Sequence, residues 1–209
     1  MLQISDRDEK KILEETYFEK QENTLLCGQH CLNNLLQQEI FDSAVLAEIG
    51  TELNRTENEI SADRNTFSHV NEYGFFSSSV LEVALNGLSL HTKTLKREWF
   101  LANKNYFDNI EGLICNKSEH WFCLRKLGGV WLLLDSKKDS PVLVDSIHPF
   151  LAGGENTTTM AIHGLFPSCV HEKKIKEITD KYRGKRLGGS TEERDSDLIR
   201  AIRLSKFTK

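Results

Sequence analysis

The chain has 209 residues, of which 39% are hydrophobic and 28% are charged, and its formal net charge is −4. This composition is typical of a globular protein and excludes collagen-like and wholly disordered classes. The charge balance lacks the basic surface that nucleic-acid binding usually needs, and the longest apolar run, Val130–Leu134, is too short to cross a bilayer. We therefore expect neither a nucleic-acid partner nor a membrane partner.

The cysteines and the N-terminal residues indicate the cellular compartment in which the protein is expected. The five cysteines lack the spacing of a disulfide framework, which favours a reducing environment. Met1–Glu15 is charged throughout and has no apolar core of the kind that a secretory signal carries. We expect a monomer in the cytoplasm, the nucleus or both, with no cofactor and no bound metal.

The first part of the chain has the apolar spacing of helices, with apolar residues three and four apart. Between two of these helices, Asn54–Tyr73 is polar with few large apolar residues, and it predicts a mobile helical arm. The helices are predicted within Met1–Glu19, from about Cys27 to Gln38 after the capping-type pair Asn23-Thr24, after Asp42-Ser43, and from Ser77 to Gly87.

The second part of the chain is patterned as strands. Gly128-Gly129 is a strong signal for a two-residue hairpin. Helices followed by strands, without alternation, favour an α+β fold with an antiparallel sheet. The strands are predicted at Gly112–Asn116, Glu119–Leu127, Val130–Asp135, Val142–Val144 and Thr158–Phe166, with a short helix near Ser146–Leu151 and a charged helix from His171 to Tyr182.

Cys27 is a candidate nucleophile because it lies where a helix is predicted to begin. Unpaired N–H groups at a helix N-terminus stabilise an anion and so lower the pKa of a thiol. A buried cysteine is, however, more often an ordinary core residue. Cys31, one turn further along the predicted apolar face, fits that simpler interpretation.

A thiolate nucleophile needs a histidine base, and the predicted hairpin favours His120. If Gly128-Gly129 is a two-residue turn, Leu127 pairs with Val130, and His120 and Asp135 become diagonal neighbours on one face of the sheet. A bulge would place one of them on the other face. His163, in another predicted strand, stays an alternative base.

Four blocks of sequence together resemble the Josephin family, specifically its ataxin-3 type. They are Tyr17–Glu22, Cys27–Leu36, Gly74–Ser77 and Glu119–Phe122. The resemblance covers most of the chain. It implies a papain-like fold, in which N-terminal helices and a helical arm pack on an antiparallel sheet, and a cysteine-dependent deubiquitinase activity.

The resemblance implies roles for four residues. Cys27 corresponds to the nucleophile, His120 to the general base and acid, Asp135 to the third member of the triad, and Gln21 to the amide of the oxyanion hole. Ataxin-3-type members usually have Asn where Asp135 stands, and Gln21 lies one residue further from the nucleophile than in the family pattern. The expected reaction is hydrolysis of isopeptide bonds in ubiquitin conjugates or polyubiquitin chains.

The tail, residues 192–209, resembles a ubiquitin-interacting motif. The spacing of its small and apolar residues places them on one narrow helix face, although an ordinary solvated amphipathic helix has the same pattern. We therefore expect a catalytic domain at 1–182, a glycine-rich linker at 183–191 and a ubiquitin-binding helix at 192–209. The residues of that face are Leu198, Ala201, Ile202 and Ser205.

Two other functions are consistent with these residues. A zinc site could draw ligands from Cys27, His30, Cys31, Cys115, His120 and Cys123, although paired Cys-x-x-Cys spacing is missing. A non-catalytic adaptor could hold ubiquitin on a protease-like fold without cleaving it. Metal analysis and reaction with a ubiquitin C-terminal electrophile distinguish these functions from hydrolysis.

Overall fold

The computed structural model describes residues 4–22, 24–60, 68–70, 74–96, 104–151, 157–180 and 182. In these residues, six strands form one antiparallel sheet in the order β1-β6-β2-β3-β4-β5. The predicted α+β class is therefore confirmed. The strands are β1 (His91–Leu95), β2 (Gly112–Lys117), β3 (His120–Leu127), β4 (Val130–Leu134), β5 (Val142–Val144) and β6 (Thr157–His163).

Helices cover the sheet on both faces. Residues alternate along β3, so that Trp121 and Cys123 pack with the large helices while Phe122 and Leu124 pack with the 3₁₀ helix (Lys104–Asn109) and α5 (His148–Leu151). The helices are α1 (Asp6–Glu15), α2 (Cys27–Leu36), α3 (Ser43–Ile60), α4 (Ser78–Asn86), a 3₁₀ helix (Lys104–Asn109), α5 (His148–Leu151) and α6 (Val170–Asp180). No helix in the described ranges is long and apolar enough to span a membrane.

The hairpin between β3 and β4 has the predicted register. Leu127 pairs with Val130, and the pairing continues to Cys123 opposite Leu134. Gly128 and Gly129 both have positive φ, at 56° and 91°. A two-residue turn whose strands keep their right-handed twist requires such angles, and glycine adopts them without strain.

β1 is the strand that the sequence analysis missed. It follows α4 directly and pairs along its whole length with β6, which lies about seventy residues later in the chain. Its side chains are exposed or half-buried, so it lacks the apolar residues that reveal a buried strand. β6 is thereby inserted between β1 and β2.

The two ends of the described chain lie against each other. The Tyr182 hydroxyl donates to the Asp8 carboxylate at 2.5 Å, and Lys174 Nζ lies 2.7 Å from the Glu15 carboxylate. α1 and α6 therefore form a pair.

The predicted arm is helical in its first part. α3 continues through Asn54 to Ile60, which is 83% exposed. Residues 68–70 return along this helix, and Val70 forms an isolated antiparallel bridge with Phe76. The rest of the predicted arm lies outside the described residues, and its mobility stays a prediction.

Candidate active site

Cys27 is the first residue of α2, and 4% of its surface is exposed. α2 buries Leu32 and Leu35 in the core beneath the sheet, which fixes the helix and holds its N-terminus beside β3. The N-cap residue is Leu26, which makes no side-chain cap hydrogen bond, and Asn23 of the predicted capping pair lies outside the described residues. The thiol therefore lies at a helix end that favours negative charge.

His120 and Asp135 lie together at the end of the β3–β4 hairpin. The imidazole Nε2 of His120 donates to Oδ1 of Asp135 at 2.7 Å. The backbone N–H of Lys137 donates to the same oxygen at 3.0 Å. The structure thus brings together the two residues that the hairpin register placed as diagonal neighbours.

The other ring nitrogen of His120, Nδ1, is the one left for the thiol. It is buried, and among the described residues it has no partner that meets hydrogen-bond geometry. Cys27 is nevertheless close enough for the thiol and the imidazole to change each other's pKa. A buried nitrogen without a full partner is suited to exchange a proton with a neighbouring sulfur.

The pKa shifts favour a charged pair. Burial raises the pKa of the Cys27 thiol, but the neighbouring His120 imidazole and the backbone of Trp121 outweigh burial, and the pKa lies below its ordinary value. Burial lowers the pKa of His120, yet its hydrogen bond with Asp135 and the neighbouring Cys27 thiol raise it to about 9. Burial also opposes ionisation of Asp135, but the hydrogen bond from His120 lowers its pKa. A thiolate beside an imidazolium is the arrangement that nucleophilic catalysis needs.

Gln21 belongs to the same cluster through Ser136, the residue after Asp135. The backbone N–H of Gln21 donates to the Ser136 carbonyl at 2.8 Å, and the Ser136 hydroxyl lies 3.3 Å from Gln21 Oε1. Gln21 Nε2 donates to the Thr24 carbonyl in the loop that leads to Cys27. The amide group can therefore reach the loop before the nucleophile despite the extra residue between them.

Two buried asparagines in α2 hold the segment before Gln21. The side-chain amide of Asn34 accepts from the backbone N–H of Glu19 at 2.6 Å and donates to the Glu19 carbonyl at 3.1 Å. The Glu19 carboxylate accepts from Asn33 Nδ2 at 2.9 Å and lies 2.7 Å from His30 Nδ1. Sequence reasoning missed these contacts, although two asparagines beside an apolar helix stripe signal buried polar partners.

His163, the alternative base, lies away from Cys27. Its Nε2 hydrogen-bonds the Tyr106 hydroxyl, and its strand pairing with His91 places it at the other end of the sheet from His120. His30 binds Glu19 instead of the thiol. His120 is thus the histidine that the described structure places beside Cys27.

The residues considered for zinc do not form a ligand set. Among the described residues, no three His, Cys, Asp or Glu side chains are grouped as a metal would require. Cys31 contacts Cys123, and burial with this thiol contact raises the pKa of Cys31 well above its ordinary value, which keeps it protonated. The tail residues Leu198, Ala201, Ile202 and Ser205 lie outside the described residues.

Comparisons with known proteins agree with one another. The Josephin family model matches residues 21–153. The chain is 30% identical over 227 residues to an Ataxin-3 homolog from Caenorhabditis elegans, an alignment that covers 92% of this chain and 71% of the relative. It is 32% identical over 182 residues to Ataxin-3 from Homo sapiens, covering 79% of this chain and 50% of the relative. An Ataxin-3 homolog from Arabidopsis thaliana is 30% identical over 183 residues, covering 79% and 65%.

Proposed function

This chain belongs to the Josephin family of papain-like, deubiquitinating cysteine proteases, and from that premise we propose that it hydrolyses isopeptide bonds of ubiquitin conjugates or polyubiquitin chains. The observation that carries the proposal is the 2.7 Å bond between His120 and Asp135 beside the thiol of Cys27 at the start of α2. This arrangement orients an imidazole against a thiol of lowered pKa.

In the proposed reaction, the Cys27 thiolate attacks the carbonyl carbon of the scissile bond. His120 gives its Nδ1 proton to the departing lysine amine, which leaves a thioester on Cys27. The neutral imidazole then takes a proton from water, and the resulting hydroxide displaces the thiol to release the ubiquitin carboxylate. Asp135 holds Nε2 so that Nδ1 faces the sulfur.

The developing oxyanion needs hydrogen-bond donors. We propose the backbone N–H of Cys27 and the side-chain amide of Gln21. One N–H of that amide is bonded to Thr24, and an amide nitrogen carries a second one. Ser136 fixes the amide oxygen, which leaves the nitrogen end to face the loop before Cys27.

The direct test is reaction with ubiquitin that carries a C-terminal propargyl group. A competent thiolate forms one vinyl thioether adduct, which intact-mass measurement detects and peptide mapping locates at Cys27. Cys31→Ala is the matched control, because this buried cysteine lies one turn away and should leave labelling unchanged. A protein that binds ubiquitin but forms no adduct would instead be the non-catalytic adaptor.

We expect a bell-shaped pH dependence of kcat/KM. Activity should rise with pH as Cys27 loses its proton, with this limb below the ordinary thiol range because the pKa of Cys27 is lowered. Activity should fall above about pH 9, where His120 loses the proton that the leaving amine needs. Steady-state hydrolysis of a fluorogenic ubiquitin substrate across pH 5–10.5 measures both limbs. A rate that still increases between pH 9 and 10.5 would contradict the assignment of His120, provided that far-ultraviolet dichroism is constant over this range.

We propose that residues 192–209 bind a second ubiquitin and act by tethering. The linker 183–191 is short and rich in glycine, which gives an effective concentration on the order of millimolar for the second contact. Removal of 192–209 should weaken binding of tetra-ubiquitin about tenfold or more and leave cleavage of a mono-ubiquitin adduct unchanged. Ala201→Glu should have the same effect, since it puts volume and charge on the proposed binding face. Equal chain affinity in titration calorimetry with and without the tail would disprove tethering.

The cysteines bear on the cellular compartment in which the protein acts. The five cysteines are all unpaired, which supports a reducing compartment such as the cytoplasm or the nucleus. We propose that the protein acts there as a monomer on ubiquitin and polyubiquitin, without a cofactor.

A further inference from the structure

His69 connects α3 to the segment that leads into α4. Only 4% of its surface is exposed. On the α3 side, its backbone N–H donates to Asn54 Oδ1 at 3.0 Å, and its Nε2 lies 3.0 Å from Glu57 Oε1. On the other side, its Nδ1 lies 2.7 Å from the Ser77 hydroxyl, and its carbonyl accepts from the Ser77 backbone N–H at 3.0 Å. Four contacts therefore tie the helix to Ser77 through one residue.

Val70 strengthens the same connection. It pairs with Phe76 in an antiparallel bridge and lies on Gly50 of α3. A Cβ atom at Gly50 would approach Val70 Cγ2 to 2.0 Å, so only glycine permits this contact. Helix α3 and the Phe76–Ser77 segment are thus held at a fixed separation by His69 and Val70.

Phe76 in turn reaches the candidate active site. Its carbonyl accepts from the indole N–H of Trp121 at 2.9 Å. Trp121 follows His120 in β3, and the His120 imidazole lies beside the Cys27 thiol and changes its pKa. Phe76 also packs on α2, where a Cβ at Gly28 would lie 3.3 Å from its ring. The contacts form a continuous path from α3 through His69 and Phe76 to Gly28 and Trp121, the residues that follow Cys27 and His120.

Ser77, His69 and Glu57 contact one another in the same sequence as the serine, histidine and acid of a hydrolase triad. They do not form a second catalytic site. Ser77 is 7% exposed and is the N-cap residue of α4, so its hydroxyl offers little access to a substrate. Its side chain makes no cap hydrogen bond and is bonded to His69 Nδ1 instead. The cluster is therefore better suited to join two elements than to attack a bond.

We propose that His69 is a positioning residue that couples the placement of α3 to the reactivity of Cys27 through Ser77, Phe76 and Trp121. This inference rests on the proposed function insofar as Cys27 is the nucleophile. With the His69 side chain in place, the Phe76 carbonyl holds the Trp121 indole of β3, and the Phe76 ring packs beside Gly28, the residue after Cys27. Without that side chain, Phe76–Ser77 can shift relative to α3, and Cys27 and His120 are held less firmly beside each other.

The test measures alkylation of Cys27 by iodoacetamide as a function of pH, with site-specific mass spectrometry, in His69→Ala, Ser77→Ala and the double variant. Weaker placement of His120 beside the thiol should raise the pKa of Cys27 by about half a pH unit and slow alkylation at pH 6 about threefold. The double variant should equal His69→Ala, since both changes break one connection. His91→Gln is the control, because His91 is exposed on β1, far from this path, and its side chain hydrogen-bonds Asn86.

A purely structural role for His69 would lower the melting temperature and leave the alkylation profile unchanged, and that result would overturn the proposal. If His69→Ala does not fold, Ser77→Ala decides alone, since it removes one hydroxyl, and an unaltered profile would again overturn the proposal. Iodoacetamide needs no ubiquitin. A changed alkylation profile with unaffected hydrolysis would therefore support the coupling and reject Cys27 as the nucleophile.

Discussion

Replacing Cys27 by alanine should reduce hydrolysis of ubiquitin substrates by about 10⁴-fold or more while leaving ubiquitin affinity unchanged. The thiolate forms the covalent bond of the proposed reaction, and the imidazole of His120 cannot replace it. Because Cys27 is almost completely buried, the alanine removes the reacting atom without opening the surface on which ubiquitin would bind. Single-turnover cleavage and titration calorimetry measure the two quantities separately.

Cys31→Ala is the control for this substitution. It removes a thiol of the same helix, buried at 1% exposure, whose raised pKa keeps it protonated. We expect it to lower stability by about 1–2 kcal/mol through the small cavity that it leaves, with cleavage by the folded protein maintained. A Cys27→Ala protein that still cleaves at the parental rate would show that another residue is the nucleophile.

Replacing Asp135 by alanine should lower kcat by about 10²–10⁴-fold with little change in KM. The Asp135 carboxylate fixes Nε2 of His120 at 2.7 Å and is the main reason why the pKa of His120 is raised. Without it, the imidazole can rotate away from the sulfur and loses its proton at lower pH. The alkaline limb of the kcat/KM profile should therefore move to lower pH in this variant.

The substitution Asp135→Asn distinguishes the effect of orienting the His120 ring from the effect of the negative charge on residue 135. The asparagine oxygen can still accept from Nε2, so the ring keeps its direction, whereas the negative charge that stabilises the imidazolium is lost. We expect this variant to recover a substantial part of kcat relative to Asp135→Ala, with the alkaline limb still at lower pH. Equal activity in the aspartate, asparagine and alanine proteins would show that Asp135 has no part in orienting His120.

The sequence predicts the β3–β4 hairpin because a local rule determines it. Gly128-Gly129 fixes the turn, the turn fixes the register, and the register brings His120 beside Asp135 over a distance of fifteen residues. Likewise, the apolar spacing of α2 indicates a buried helix that begins at Cys27. The register of the hairpin and the start of α2 both depend on residues that are close together in the sequence.

Contacts between distant segments could not be predicted in this way. β1 is largely solvent-facing and gains its partner from a strand about seventy residues away. The bonds of Asn34 to Glu19 and of Ser136 to Gln21 join segments whose proximity depends on the complete fold. His69 lies in the polar stretch that the sequence predicts as a mobile helical arm, and its contacts with α3 and Ser77 depend on the packing of distant segments.

The insertion of β6 between β1 and β2 has a consequence for the order of synthesis on the ribosome. Until Thr157–His163 has emerged, β1 and the outer edge of β2 have no partner, and the sheet cannot close around its core. The pairing spans a long loop of chain, whose closure costs entropy and slows folding relative to locally connected proteins. A nascent chain that already contains Cys27, His120 and Asp135 therefore still lacks the assembled sheet. We expect the thiol to become reactive late, after the last strand has been translated, and folding to be limited by this closure.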